Sequence, residues 1–131
     1  RRCLVGSEMC IRDSSKAYKM IDKGQYSKAQ KILKNYTKSE PEDPDGWTLL
    51  AFTYRKLDKF AESEEYYLKA LNLEPDNKAA LEYQGELFIE TNRIDLANAN
   101  IKKLQNLCPN SCEELEKLQS YLLDQSSKSN I

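Results

Sequence analysis

The cysteines are the residues best suited to chemistry in this 131-residue sequence, which holds four of them. Cys108 and Cys112 are separated by Pro109-Asn110-Ser111, a segment typical of a tight turn. Such a turn could bring their α-carbons within the roughly 4.4–6.8 Å that a disulfide spans. The pair is open to three interpretations: a structural disulfide, two buried reduced thiols, or a redox or zinc site. The last of these lacks both the C-x-x-C spacing and a second pair of ligands.

Histidine, the commonest general base and metal ligand, does not occur in the sequence. The sequence also shows no paired carboxylates in an apolar setting, no phosphate-binding glycine loop and no nucleophile beside a base. We therefore predict a protein that is not an enzyme, without catalytic residues, a metal site or a cofactor. A formal net charge of −1 disfavours nucleic acid as a partner. No apolar run approaches the roughly 20 residues of a membrane-spanning helix, so membrane insertion is not expected.

A repeat of 34 residues organises most of the chain, and it is marked by Pro41, Pro75 and Pro109. Other positions with the same step carry small, turn-forming or large apolar side chains. They are Ala17, Ala51 and Gly85; Met20, Tyr54 and Phe88; Gly24, Asp58 and Asn92; Tyr26, Phe60 and Ile94; Ala29, Ser63 and Ala97; and Leu33, Tyr67 and Ile101. Within one repeat the apolar residues follow i, i+3, i+4 spacing, which predicts two amphipathic helices per repeat.

The residue types at these positions indicate how each pair of helices is built. Gly24, Asp58 and Asn92 tolerate the left-handed conformation, so we expect the first helix of each pair to end there. Small side chains such as Ala51 and Ser63 would let the paired helices approach closely. The prolines cannot continue a helix and are expected in the turn to the next pair.

The segment Asp45–Asn77 resembles a tetratricopeptide repeat at nearly every signature position. The matching residues are Trp47, Leu50, Ala51, Tyr54, Phe60, Tyr67, Ala70 and Pro75, and Ser63 replaces the usual alanine. The resemblance covers residues 15 to 111, although Gln84 stands where an apolar residue is expected. It implies an all-α fold, a right-handed superhelical stack of about three helical hairpins at residues 10–43, 44–77 and 78–111.

A terminal helix is predicted after the third repeat. Ser111 followed by Glu114 has the pattern of a capping box, and Leu115, Leu118 and Leu122 form one apolar stripe. We expect a capping helix over residues 112–124, which completes a domain of residues 15–124, followed by a flexible tail of residues 125–131.

Residues 1–14 differ in composition from everything that follows them. The stretch resembles translated adapter sequence fused to the start of a gene fragment, and we predict a non-native extension. The alternative is a targeting segment that begins with Arg1 and Arg2. Glu8, Arg12 and Asp13 interrupt the apolar region of about 7–15 residues that a signal peptide needs.

The resemblance also implies a binding surface, because the first helices of stacked hairpins line a concave groove. In this register the groove is lined by Tyr18, Ile21, Thr48, Phe52, Arg55, Glu82, Glu86 and Ile89. Phe52 and Tyr18 would be aromatic anchors, and the charge would change from positive at Arg55 to acidic at the two glutamates. The alternative is that Phe52 packs against a neighbouring helix and the charges are solvated. Thr48 and Phe52 replace the lysine and asparagine that clamp a terminal carboxylate in chaperone-tail binders.

We therefore predict a scaffold or adaptor that binds a protein or peptide in this groove. Two alternatives are a thiol-redox protein that uses Cys108 and Cys112, and a spacer within a longer array of repeats. The ALEYQGELF and LCPNSCEEL segments resemble a subset of exported bacterial tetratricopeptide proteins, which favours the periplasm over the cytoplasm. The sequence does not indicate the partner or the oligomeric state.

Overall fold

The chain is all α-helical in the computed structural model, which describes the backbone of residues 8–129 and the side chains of residues 15–128. The described residues form helices α1 (Glu8–Asp22), α2 (Tyr26–Ser39), α3 (Pro44–Lys56), α4 (Phe60–Leu73), α5 (Lys78–Glu90), α6 (Ile94–Leu107) and α7 (Glu113–Ser129). The predicted all-α fold is confirmed. Two compact units divide the chain between Pro75 and Asp76. The first contains α1 to α4 and the second α5 to α7.

The 34-residue repeat of the sequence recurs in the helix boundaries. Both ends of α3 and α4 reappear 34 residues later as the ends of α5 and α6. Likewise, α2 has the bounds of α4 less 34. The predicted helical hairpins are therefore confirmed for these pairs. Adding 34 to Lys78 gives Cys112, one residue before α7 begins, so α7 continues the register of the first helices.

The first helix of each pair ends at a left-handed residue, as the sequence predicted. Gly24, Asp58 and Asn92 have φ values of 74°, 62° and 62°. The next residue in each case donates its N–H to the carbonyl five residues earlier, for example Lys59 to Tyr54 at 2.9 Å. This is the Schellman pattern, in which a left-handed residue lets the chain turn back to satisfy the last carbonyls of the helix.

We expect replacement of Asp58 by valine to lower the free energy of unfolding by about 1–2 kcal/mol, because a β-branched side chain crowds the backbone at positive φ. Asp58→Gly is the matched control, since glycine adopts this conformation without steric cost. Urea unfolding of both variants measures the difference. Equal stability of the two variants would contradict the assignment.

The second helices start and end through the predicted turns. Pro41, Pro75 and Pro109 each lie in the turn that follows a second helix. Helix α3 is capped by the Asp43 carboxylate, which accepts a hydrogen bond from the Asp45 N–H at 3.0 Å. Helix α5 is capped by Asn77, whose side chain accepts from the Ala80 N–H at 2.9 Å. Both caps satisfy N–H groups that have no partner within the helix.

In the first unit, small side chains bring the helices of each hairpin together. Ala17, Ala29, Ala51 and Ser63 are buried, and the Ser63 hydroxyl donates to the Ala51 carbonyl at 2.7 Å. A serine therefore replaces the usual alanine of this position without leaving its hydroxyl unsatisfied.

The second unit packs α7 onto α5 and α6. Leu115 and Leu118 of α7 are buried. Gly85 leaves room for this contact, because a Cβ atom built on it would stand 2.6 Å from a methyl group of Leu118. The predicted apolar stripe of the terminal helix is therefore the face that it buries.

The ends of α7 differ from the prediction. Ser111 does not cap the helix, because its φ of 77° is left-handed and α7 begins only at Glu113. At the other end, α7 continues to Ser129, beyond the predicted boundary at Asp124. Helix extension adds one hydrogen bond per residue, and Lys128 in the last turn complements the helix dipole. Of the predicted extension at residues 1–14, residues 1–7 lie outside the described residues, and α1 runs across its predicted end.

Candidate binding surfaces

In the first unit, the predicted surface on α1 and α3 exposes one aromatic residue. Tyr18 on α1 is 51% exposed, and Ile21, one turn later, is half-buried. Partial burial of the ring, together with the nearby carboxylates of Asp45 and Asp43, raises the pKa of the Tyr18 phenol above its ordinary value. The hydroxyl therefore stays protonated at neutral pH and remains a hydrogen-bond donor.

Phe52 on α3 is half-buried among aromatic and cationic side chains. Its ring meets that of Tyr26 on α2 edge-on, with the centroids 6.3 Å apart. The Arg55 guanidinium and the Lys56 ammonium lie 5.1 Å and 5.5 Å from the ring centroid. Phe52 thus packs against a neighbouring helix, as one interpretation of the sequence held, and keeps part of its ring accessible beside two cations.

Two other predicted surface residues of this unit are buried. The Thr48 hydroxyl donates to the Pro44 carbonyl at 2.8 Å, within its own helix. Arg55 is among the largest fully buried side chains of the protein. Their helical positions are as predicted, but neither side chain is presented to solvent. Substitution of Arg55 would therefore disturb the interior and would not test binding alone.

In the second unit, the three predicted residues of α5 are also buried. Glu82 and Glu86 are 4% and 8% exposed, and Ile89 is buried as well. Both glutamates line an open cleft of about 370 Å³ along α5 and α7. The α7 residues of this cleft are Glu116, Lys117, Ser120, Tyr121 and Asp124.

Sequence analysis did not identify the α7 side of this cleft. A signal was present, because adding 34 to Glu82 and Glu86 gives Glu116 and Ser120. The predicted helix was interpreted only as a cover for the last hairpin, so its polar residues were not considered. The structure places them beside the two glutamates of α5.

The two glutamates of α5 form a coupled acidic pair. Burial, a hydrogen bond with Glu86 and repulsion by the Glu86 charge raise the pKa of Glu82 to about 8. Lys117 opposes this increase and Glu114 adds to it, both from α7. Lys117 also forms a 2.6 Å ion pair with Glu113. At neutral pH Glu82 is therefore mainly protonated and can donate to Glu86.

Cys108 and Cys112 are placed close enough to be joined. Their sulfur atoms lie 2.13 Å apart and their α-carbons 5.9 Å apart, within the span of a disulfide. The bond would connect the end of α6 to the start of α7. Cys108 is buried, which is unfavourable for a thiol that must exchange with other molecules. The structural disulfide is thus the interpretation that this geometry favours, and the redox state stays a prediction.

The described residues hold no group of three or more His, Cys, Asp or Glu side chains arranged to bind a metal ion. Among these same residues, no helix is long and apolar enough to cross a membrane.

The sequence of α3 and α4 matches a family model. Residues 44–77 match the model of the tetratricopeptide repeat. These bounds coincide with the predicted middle repeat and run from the first residue of α3 to Asn77, the cap of α5. No protein of curated function matched the sequence.

Solved structures with a similar fold are tetratricopeptide domains and secretion chaperones. The first TPR domain of Spaghetti (RPAP3), bound to the HSP90 peptide SRMEEVD, is 21% identical with a TM-score of 0.75, over 89% of this chain and 93% of that one. The Yersinia enterocolitica type III secretion translocator chaperone SycD is 15% identical with a TM-score of 0.80, over 98% and 100%. PcrH, in complex with the chaperone binding region of PopD, is 12% identical with a TM-score of 0.78, over 98% of each chain. At these identities the similarity establishes the fold.

Proposed function

We propose that this chain, which carries a tetratricopeptide repeat and has the all-α fold of tetratricopeptide domains, is a protein-interaction module that binds a peptide segment of a partner protein. The fold is typically that of a non-enzymatic scaffold. Several proteins of similar fold are solved with bound peptides or partner segments, which supports a peptide as the ligand here. The binding residues are proposed to lie on the first helices, on the surfaces described above.

The observation that carries this proposal is the exposure of Tyr18 beside Phe52 in the first unit. Tyr18 is a large aromatic side chain that the fold leaves half in solvent, although buried tyrosines such as Tyr67 show that the core has room for them. Tyrosine and arginine are enriched among residues that dominate binding energy, because they combine a large contact area with polar groups. We propose that Tyr18, Ile21 and Phe52 contact apolar side chains of the bound segment.

Peptides selected from a random phage-displayed library on the folded protein provide the first test. We expect selected peptides to bind in solution, and Tyr18→Ala to weaken them at least about tenfold, as is typical when a central aromatic contact is removed. Fluorescence anisotropy of the labelled peptides measures the affinities.

Leu68→Ala is the matched control for this experiment. Leu68 on α4 is 50% exposed, nearly the same as Tyr18, but it lies on a second helix and outside the proposed surface. Its removal should change the affinities less than about twofold. If both variants weaken binding alike, or if no peptide is selected, the proposed function is wrong.

The alternative functions receive no support from a specific contact. A redox protein would need an accessible low-pKa cysteine, and Cys108 is buried. The compartment stays a prediction that depends on the redox state of Cys108 and Cys112.

A further inference from the structure

The cleft along α5 and α7 has an acidic lining. It contains four carboxyl groups, from Glu82, Glu86, Glu116 and Asp124, and one ammonium group, from Lys117. This ammonium is already engaged by Glu113, a residue of α7 that does not line the cleft. Its charge is therefore partly neutralised from outside, and the carboxyl groups dominate the field within the cleft.

Glu82 and Glu86 are in an unusual state for carboxyl groups at a cleft. Both are more than nine-tenths buried, and the hydrogen bond recorded for Glu82 is to the other carboxyl group. Buried carboxyl groups generally need a cationic or hydrogen-bonding partner to offset the loss of hydration. Lys117 stabilises the charged form of Glu82 too weakly to overcome burial and the repulsion of Glu86 and Glu114. A further cation in the cleft would offset both effects.

The opposite wall adds a surface suited to a long cationic side chain. Tyr121 lines the cleft from α7 and is half-buried. Its hydroxyl donates to a carboxylate oxygen of Glu90 at 2.9 Å, which fixes the ring against α5. An aromatic ring beside carboxylates can contact the aliphatic stem of lysine or the plane of arginine. The cleft thus combines volume, an aromatic wall and negative charge.

From this combination we propose, resting on the function proposed above, that the cleft binds a lysine or arginine side chain of the partner segment through Glu82 and Glu86. The partner would then be a basic segment that also carries apolar residues. Acidic peptides, such as those bound by the domains of similar fold from Spaghetti (RPAP3) and human RPAP3, would be repelled by the same carboxylates.

Binding of a cation should be coupled to the loss of a proton. A positive charge beside Glu82 and Glu86 favours the form in which both are ionised, so the proton that they share would be released. The charged groups acting on Glu82 are Glu86 on its own helix and Glu114 and Lys117 on α7. Affinity for a cationic peptide should therefore rise with pH up to about 8, where Glu82 ionises without a ligand.

The test uses a blocked peptide of alternating lysine and leucine, with its glutamate counterpart as the comparison. We expect the lysine peptide to bind at least about tenfold more tightly than the glutamate peptide. Replacing both Glu82 and Glu86 by glutamine should weaken the lysine peptide at least about tenfold. The matched control replaces Glu62 and Glu65, two exposed residues of α4, by glutamine, which changes the net charge equally.

A second pair of variants avoids the interior. Glu116→Gln combined with Asp124→Asn alters only exposed residues of the cleft and should weaken the lysine peptide by several-fold without a change in stability. If the lysine peptide binds the α4 and cleft variants equally, the attraction is one of net charge and the cationic-side-chain proposal is overturned. The proposed function stands in that case, provided that phage-selected peptides still require Tyr18. If neither the lysine peptide nor any selected peptide binds, both proposals fail.

Discussion

Replacement of Leu118 by alanine is expected to lower the free energy of unfolding of the second unit by about 3 kcal/mol. Leu118 is fully buried, and its methyl groups lie against the backbone of Gly85 on α5. Because glycine contributes no side chain that could move into the space, the cavity left by the substitution cannot be filled from that side. Urea unfolding followed by circular dichroism measures the loss.

Leu123→Ala is the control on the same helix. Leu123 is 68% exposed, so its truncation should change the free energy of unfolding by less than about 0.5 kcal/mol. Hydrogen exchange of the α7 amides should accelerate in the Leu118 variant and stay unchanged in the Leu123 variant. If α7 amides exchange at similar rates in both variants, α7 is not held by the contact between Leu118 and Gly85.

The stability of the protein is expected to fall by about 2 kcal/mol between pH 4.5 and pH 8 through Glu82 alone. An unfolded glutamate ionises near its ordinary pKa of 4.5, whereas the folded environment raises the pKa of Glu82 to about 8. Within this window the folded protein binds more protons than the unfolded chain, so the free energy of unfolding decreases as the pH rises. Above about pH 8 the loss is complete. The figure is below the full value of the shift because solvent in the open cleft screens part of the charge.

Glu82→Gln should remove this pH dependence, since glutamine cannot ionise and can still donate a hydrogen bond to Glu86. The variant should be more stable than the natural sequence at pH 8 and nearly equal to it at pH 4.5, where Glu82 is mostly protonated. Urea unfolding at several pH values gives both slopes. Glu65→Gln on α4 provides the control, because this exposed glutamate should leave the slope unchanged. A slope that persists in Glu82→Gln would assign the effect to other groups.

These two predictions concern the same contact between α5 and α7. Loss of Leu118 would loosen α7, and with it the positions of Lys117 and Tyr121 beside Glu82 and Glu86. The Leu118 variant should therefore also bind a cationic peptide less tightly, although Leu118 does not line the cleft. Comparing the two variants separates the effect of charge from that of helix position.

Helix boundaries could be predicted from the sequence because they depend on neighbouring residues. Gly24, Asp58 and Asn92 tolerate positive φ, and Pro41 and Pro75 cannot continue a helix, so the spacing of such residues determines where helices end. The exception is the start of α7, where Ser111 has the type of a capping residue but a left-handed backbone. Capping depends on the conformation of the chain as well as on the residue type.

The predicted surface positions were assigned to the right helices, but their exposure could not be predicted. Tyr18 is exposed while Arg55, Glu82 and Glu86 are buried, although all of them have polar groups and occupy equivalent faces of first helices. The burial of a polar side chain depends on what packs over it. Near Glu82 this includes α7, whose residues follow about 30 positions later in the sequence.

The sequence alone determined the helical hairpins, their 34-residue register and the faces that form their interior, since periodicity and turn residues act over short stretches of chain. Only the tertiary structure decided which polar residues face solvent, that α7 lines a cleft with α5, and that Glu82 holds a proton at neutral pH. The physical reason is that hydration and electrostatic interactions of a side chain depend on distance in space, which the order of residues does not specify.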